Sequence, residues 1–509
     1  MTIDTATANI SSHSPHLAQH LAVRDPARGD VIAELPIDDA LAVRSAAARA
    51  RQAQPAWAAL PARERARLLK RARREVVRVR NAILGLLERE TGKARADVVG
   101  ELMAVCLDIG YLTKRAPRWL KPRRVSARPL FGKRGHIFYK PFGIVAVIAP
   151  WNAPLTLALG DAIPALLAGN AVLIKPSELT PLAVRAAVEA MNRVLPSDVL
   201  QILVGAGETG AALVDEADIV CVTGSPQTGR SVMERASRTL TPVLLELGGK
   251  DAMIVLRDAD LDRAARGAAW GGCLMSGQVC MSVERIYVER AVAEEFKRKL
   301  VEQMRVLRVG PNGADAEIDY GPFTSPRQID IVAAQVADAE RKGAQILTGG
   351  GPLSIGGHGH YFQPTLLGNV DHSMAVMTEE TFGPVMGVME VADREEAIRL
   401  ANDCRYGLSA SVWTRDVRRG IELAQRLESG SVGVNECLLS AGCPELPFGG
   451  VKQSGVGARH GGAEGLRAFC VPQAVLVERR ARRSEIAWFP HSVRYSGRME
   501  KLMGVLFRW

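Results

Sequence analysis

The sequence predicts an α/β protein built as two open parallel-sheet lobes, with a small β flap beside them. Three observations carry that expectation. Aromatic residues make up only 5% of the 509, whereas Gly alone numbers 48 and Ala, Val and Leu abound, as suits closely packed helices and buried strands. From Tyr139 onwards, short apolar β-branched runs alternate with stretches of helical period, as βαβ units require. Near Lys250 the alternation begins afresh, so a second lobe follows the first.

Taken in order, the first 20 residues are rich in Ser, Thr, Ala and His. They lack the basic start and apolar stretch of a signal peptide, and a disordered tail is expected there. Helices are expected over 39–57, 61–91 and 94–120. Residues 144–149, 171–175, 200–204 and 219–223 read as strands, with helices at 155–168, 181–194, 208–214 and 226–237 between them. Thr180 before Pro181 supplies a cap followed by a first-turn proline. In the second block 252–255, 286–288, 385–391 and 409–413 read as strands, punctuated by Gly-rich turns at 349–351 and 356–359. A cleft between two such lobes is the place to look for chemistry.

Composition excludes several classes. The longest apolar run, 142–151, is half of the roughly 20 residues that span a bilayer. Eight cysteines scattered from Cys106 to Cys470, with no CxxC, form neither a disulfide framework nor a metal site, and a reducing cytoplasm is expected. A net charge of +10 comes with no nucleic-acid-binding motif. Half of it sits in 478–509, where eight Arg or Lys outnumber three Glu.

Gly205-Ala-Gly207-Glu-Thr-Gly210 follows a strand and opens a helix as a dinucleotide fingerprint does. The next strand end, Cys221-Val222-Thr223, offers no acid for a ribose, so a tight turn is the simpler reading. Val222-Thr-Gly224-Ser225-Pro-Gln-Thr-Gly229 is a second such junction, whose glycines let a phosphate approach the amides of a helix N-terminus. Lys175-Pro-Ser-Glu178 ends an earlier strand, and both charged groups suit ribose hydroxyls. The strongest signal is Gly277-Gln-Val-Cys280-Met-Ser-Val-Glu-Arg285. A lone cysteine is ordinarily a small buried hydrophobe, but one in a Gly-flanked turn between helix and strand is placed as a nucleophile. Glu246, at the end of an apolar strand and before Gly248-Gly249-Lys250, is placed as a base, and Asn152 after Pro150-Trp151 as an oxyanion donor.

These motifs, with Phe142 to Asn152, Glu380-Thr-Phe382-Gly-Pro384 and Pro447-Phe448-Gly-Gly-Val-Lys452-Gln-Ser-Gly455, resemble the aldehyde dehydrogenase superfamily in order, over about 22–475. The resemblance implies attack of Cys280 on an aldehyde, an oxyanion held by Asn152 and the Cys280 amide, hydride transfer to NAD (NADP also being possible), and thioester hydrolysis by water that Glu246 activates. It implies that Trp151, Lys175, Glu178, Gly224, Ser225, Gly229, Glu380 and Phe382 surround the dinucleotide. It further implies an NAD-binding domain of 21–120 with 141–247, a catalytic domain of 248–446, and segments 121–140 and 467–478 that build a homodimer or homotetramer.

Within the family, the residues around Cys280 and Ser454-Gly-Val-Gly are most similar to the branch often called succinate-semialdehyde dehydrogenase. Gly160 stands where enzymes of that name carry an Arg, and the expected tunnel residues Leu155, Leu159, Val279, Met281 and Phe448 are apolar, so a hydrophobic or medium-chain aldehyde is expected over a semialdehyde. Asp161 and Arg459 stand where many members carry a Lys and a Glu, which suggests a charge-swapped pair. Glu246 argues against a CoA-acylating relative, which commonly lacks it, and retention of Cys280, Asn152 and Glu246 together argues against a non-catalytic one. The basic, aromatic segment 479–509 reads either as a contact with a membrane surface or as a tail packed across a neighbouring subunit.

Overall fold

The computed structural model describes residues 20–128, 130, 132–313, 315–457, 460–480, 483–485 and 488–507. The expected N-terminal tail lies almost wholly outside them. The chain divides into two compact units, one of which joins Lys121–Lys140 to Pro472–Trp509, while the other holds the remainder.

The larger unit contains both predicted sheets. The first runs Gly455–Val456, Val243–Glu246, Ile219–Thr223, Ile144–Ile148, Ala171–Lys175, Leu200–Ile202. It is parallel throughout except for the antiparallel Gly455–Val456. Its order reverses between Ile144–Ile148 and Ile219–Thr223, and ligands bind open α/β sheets at such a switch point, beyond the carboxyl ends of the strands. The second sheet runs Gln345–Thr348, Thr365–Gly368, Val385–Val391, Val283–Glu289, Asp251–Val255, Ser409–Trp413, Ser431–Val434, with only the first pair antiparallel. Helices cover both faces of these sheets. Ala264, Ala268 and Phe296 lie on one side of the second sheet, and Val332, Val336 and Ile398 on the other.

The helices before the first sheet depart from the sequence reading in two ways. The run 61–91 is two helices, Ala62–Arg78 and Arg80–Thr91, parted at Val79, where ψ is 15°. Ahead of Ala40–Ala59 stands an antiparallel hairpin, His20–Arg24 with Val31–Pro36, which buries only Val23 and Leu35 fully.

Two carboxylates from this helical layer reach across to cap helices that lie far along the chain. Helix Pro154–Ala168 has no side-chain cap of its own. Glu101, on helix Arg95–Trp119, accepts instead from the amides of Leu155 at 2.7 Å and Thr156 at 3.2 Å, while its other oxygen meets Lys93 at 2.6 Å. Glu90 accepts in the same way from Leu182 and Ala183. Burial pushes the Glu90 carboxyl up to about 8, against the opposing pull of those two amides.

The smaller unit is a three-stranded sheet in the order Cys470–Glu478, Lys133–Pro141, Arg123–Val125, followed by helix Val493–Leu506. The flap and the C-terminal segment, read as separate regions from the sequence, fall in one unit, Lys121–Lys140 with Pro472–Trp509.

Glu101→Ala strands a buried Lys93 and uncaps helix Pro154–Ala168. Urea unfolding should show a loss of about 3–5 kcal/mol, the usual cost of removing one partner of a buried pair. Glu101→Gln, whose amide oxygen still accepts, should lose less.

Candidate active site

The turn that carries Cys280 begins where helix Leu261–Cys273 ends. Met275, Ser276 and Gly277 follow with φ of 51°, 62° and 71°, three consecutive left-handed residues, of which only the glycine adopts that geometry cheaply. Two hydrogen bonds hold the turn: Ser276 Oγ donates to Gly321 O at 2.8 Å, and Gln278 Oε1 accepts from the Thr324 amide at 2.9 Å. A Cβ on Gly277 would lie 2.2 Å from the Gly383 carbonyl, so no larger residue fits. Asn152 is buried and donates from Nδ2 to Gln278 O at 2.9 Å, which fixes its amide beside the cysteine turn.

Glu246 closes strand Val243–Glu246. Its carboxylate is buried, and neither oxygen has a hydrogen-bond partner among the described residues. Burial therefore raises its pKa to about 8. The Gly248-Gly249 turn that follows lies under Cys280, since a Cβ on Gly249 would meet the Cys280 carbonyl at 2.2 Å. Burial, then the nearby Asp251, Glu246 and Glu380 carboxylates, push the Cys280 thiol well above its ordinary range.

The other predicted residues gather at the carboxyl edge of the first sheet. Lys175 Nζ donates to Pro176 O and Gly205 O at 2.9 and 2.7 Å, and lies 3.7 Å from the half-exposed Glu178. Ser225 caps helix Pro226–Ala236. Gly229 lets that helix sit close to the sheet, because a Cβ there would be 2.9 Å from Leu247. Trp151 and Phe382 meet edge to face at 5.4 Å, and Glu380 accepts from the Gly249 amide at 3.1 Å. The Gly224 amide donates to Glu246 O at 3.0 Å, tying the turn before helix Pro226–Ala236 to the end of the strand that carries Glu246.

Cys280 and Asn152 line one cavity of about 530 Å³, together with Val279, Met281 and Phe448. Leu155 and Leu159 do not line it. They are fully buried in the core, while Thr156, Leu157, Gly160 and Pro164 face the cavity, a rotation of one to two residues in helical phase. Trp270, Leu274, Leu438, Leu439 and Leu446 complete a largely apolar wall. Helix Arg95–Trp119 contributes Asp97, Glu101 and Asp108, which the sequence reading did not single out. Asp97 and Asp108 are each raised to about 6 by burial. Among the described residues lining the cavity there is no Lys or Arg. His460 faces it and lies 3.7 Å from the fully buried Asp161. Gly160 makes room for that ring, since a Cβ there would be 3.1 Å from His460 Cε1. Arg459, the expected partner of Asp161, lies outside the described residues.

The turn after Glu246 is held by a buried pair that sequence reasoning also missed, although Glu284 stands inside the cysteine motif. Lys250 Nζ binds Glu284 at 2.5 Å and Thr381 Oγ1 at 2.7 Å. Glu284 accepts in turn from the Thr381 and Phe382 amides. Among the described residues no group of His, Cys, Asp and Glu suits a metal ion.

Cys280 in its strained turn, Asn152 fixed beside it and Glu246 with its raised carboxyl stand next to the carboxyl edge of an open α/β sheet, an arrangement that suits an oxidoreductase, and comparison with known proteins agrees. Residues 13–475 match the aldehyde dehydrogenase family. The chain is 42% identical over 479 residues to 4,4'-diapolycopene aldehyde oxidase of Methylomonas sp, covering 93% of this chain and 88% of that protein. It is 41% identical over 461 residues to the Mycobacterium ulcerans protein named "Putative succinate-semialdehyde dehydrogenase NADP(+) 2", covering 89% and 87%. The structure matches betaine aldehyde dehydrogenase of Staphylococcus aureus in complex with NAD+ at TM-score 0.86 and 30% identity, over 93% of this chain and 94% of that one. This chain belongs to the aldehyde dehydrogenase family.

Lys250→Met leaves Glu284 buried without its cation and should cost about 3–5 kcal/mol. Adding Glu284→Gln should recover part of that loss in a double-mutant cycle read by chemical denaturation.

Proposed function

We propose that this protein oxidises an apolar aldehyde to the carboxylic acid, with Cys280 as nucleophile and NAD as the preferred oxidant. The observation that carries the substrate class is the cavity above Cys280, whose wall is apolar and whose charged groups are Asp97, Glu101 and Asp108 without a Lys or Arg among the described residues. A carboxylated aldehyde would meet the carboxyl groups of Asp97 and Asp108 there, with no Lys or Arg among the described lining residues to balance it. The name of the Methylomonas relative, 4,4'-diapolycopene aldehyde oxidase, fits this reading better than that of the mycobacterial one.

The chain's own residues divide the work. The Asn152 amide and the Cys280 backbone N–H hold the oxygen of the aldehyde as it gains charge on attack by sulfur. Glu246, raised to about 8, suits the activation of water against the thioester.

The strand ends fit a dinucleotide. Gly224 and Ser225 open helix Pro226–Ala236 towards a phosphate. Lys175 and Glu178 stand where ribose hydroxyls would lie, and Trp151 with Phe382 forms an aromatic corner. When bound, the nicotinamide supplies the hydride acceptor. Glu178 would face a 2′-phosphate with like charge, which supports NAD over NADP.

The exposed Val471, Leu476 and Val477 on edge strand Cys470–Glu478 support reading that strand as a self-association surface.

Cys280→Ala should abolish oxidation and leave NAD binding measurable by fluorescence; turnover near the wild-type level would sink the assignment. Across a panel of aliphatic, aromatic, amino and carboxylated aldehydes, kcat/KM should be highest for long apolar ones and lowest for succinic semialdehyde, with no dependence on CoA.

Glu246→Gln should lower steady-state kcat by about 10²–10⁴-fold while a burst of NADH remains. Because the folded carboxyl titrates near 8 rather than at 4.5, the wild-type rate should climb with pH through 8 and level off only above it, a rise absent in the variant. The same raised value means that the folded state loses stability as pH rises from 4.5 to 8, so Glu246→Gln should flatten that part of the Tm profile.

For the cofactor, kcat/KM should favour NAD, and Glu178→Ser should move the ratio towards NADP.

A further inference from the structure

We propose that helix Val493–Leu506 is an in-plane anchor for an anionic lipid surface. None of its residues is buried. At helical spacing Tyr495, Met499, Leu502, Met503 and Leu506 fall on one face, and Arg494, Arg498 and Lys501 lie along one flank of that face. Leu502, Met503 and Leu506 are about half exposed or more, a stripe of apolar surface left open among the described residues. Shortly before the helix, Trp488 is 58% and Phe489 84% exposed. Described residues ahead of it are held in place: Lys133 binds Glu478 at 3.0 Å and Glu485 at 2.6 Å, and the Arg479 amide donates to Gly132 O. Ser492 then caps the helix through the Tyr495 amide. The family match ends at residue 475, so this element is an addition to the part of the chain that carries the chemistry.

Charge selects the occupant of the apolar face. With eight cations and three acids in 478–509, a second copy of the same helix would bring cation against cation. Anionic headgroups complement the flank instead, while the apolar stripe sinks into the acyl boundary, the Arg and Lys stems snorkel, and Trp488 sits at the headgroup level. At about 1.5 Å per residue the helix is far too short to cross the roughly 30 Å of hydrocarbon, so it lies in the plane. This reading does not depend on which aldehyde is the substrate.

The test uses the full chain and two sets of vesicles, phosphatidylcholine alone and phosphatidylcholine with phosphatidylglycerol. The protein should sediment with the second and not the first, and less so as salt is raised. Each cation near such a surface strengthens partitioning about fivefold, so Arg494→Gln with Arg498→Gln and Lys501→Gln should weaken binding about 100-fold. Leu502→Ser with Leu506→Ser should also abolish it. Both variants should keep wild-type turnover of a short water-soluble aldehyde and an unchanged mass by light scattering. Failure of the wild-type chain to bind anionic vesicles, or binding that neither variant weakens, overturns the proposal. Loss of mass in the leucine variant, with vesicles ignored, assigns the stripe to a second copy of the chain.

Discussion

The buried pair between Lys250 and Glu284 locks three segments together at the point where their neighbouring strands begin. Lys250 ends the turn after Glu246, Glu284 opens the strand after Cys280, and the amides of Thr381 and Phe382 complete the carboxylate's shell. One contact thus sets Glu246, Cys280 and the aromatic corner of Trp151 and Phe382 in a single frame. Such a pair adds little net stability compared with well-packed apolar residues, and its value lies in position. An apolar substitute would leave the Thr381 and Phe382 amides without an acceptor, and with them the placement of Glu380 and Phe382.

The same economy governs the helical layer. Glu90 and Glu101 are expensive to bury, and each does work that a local cap does elsewhere, as Ser225 does for helix Pro226–Ala236. Because Glu101 also faces the substrate cavity, the floor of that cavity and the start of helix Pro154–Ala168 are fixed by one carboxylate. Acids on this wall therefore arise partly from architecture and partly, in Asp97 and Asp108, as groups turned towards whatever enters. Their raised values follow from an apolar cavity that offers them little solvation.

Much of this was legible in the chain. Strands Ala171–Lys175, Ile219–Thr223, Val385–Val391 and Ser409–Trp413 coincide with the expected bounds because strands buried on both faces read as unbroken apolar runs. The N-terminal hairpin was not legible, since each of its strands buries a single residue and carries no run. The site divides along the same line. Cys280, Glu246 and Asn152 announce themselves by sitting in turns at strand ends. Glu101 does not, because the amides it caps are more than 50 positions away. Leu155 and Leu159 were misplaced for want of the helix phase, which only packing of the helix against the sheet decides.

Three successive left-handed residues before the thiol, with Gly277 pressed against the Gly383 carbonyl, leave that turn almost no tolerance for substitution. The wall that grips a substrate comes from elsewhere, from helix Arg95–Trp119 and the loop around Leu438 to Phe448. Substitutions at Ala104, Leu112 or Leu446 can therefore recut the wall to a different guest without disturbing the backbone that presents the thiol.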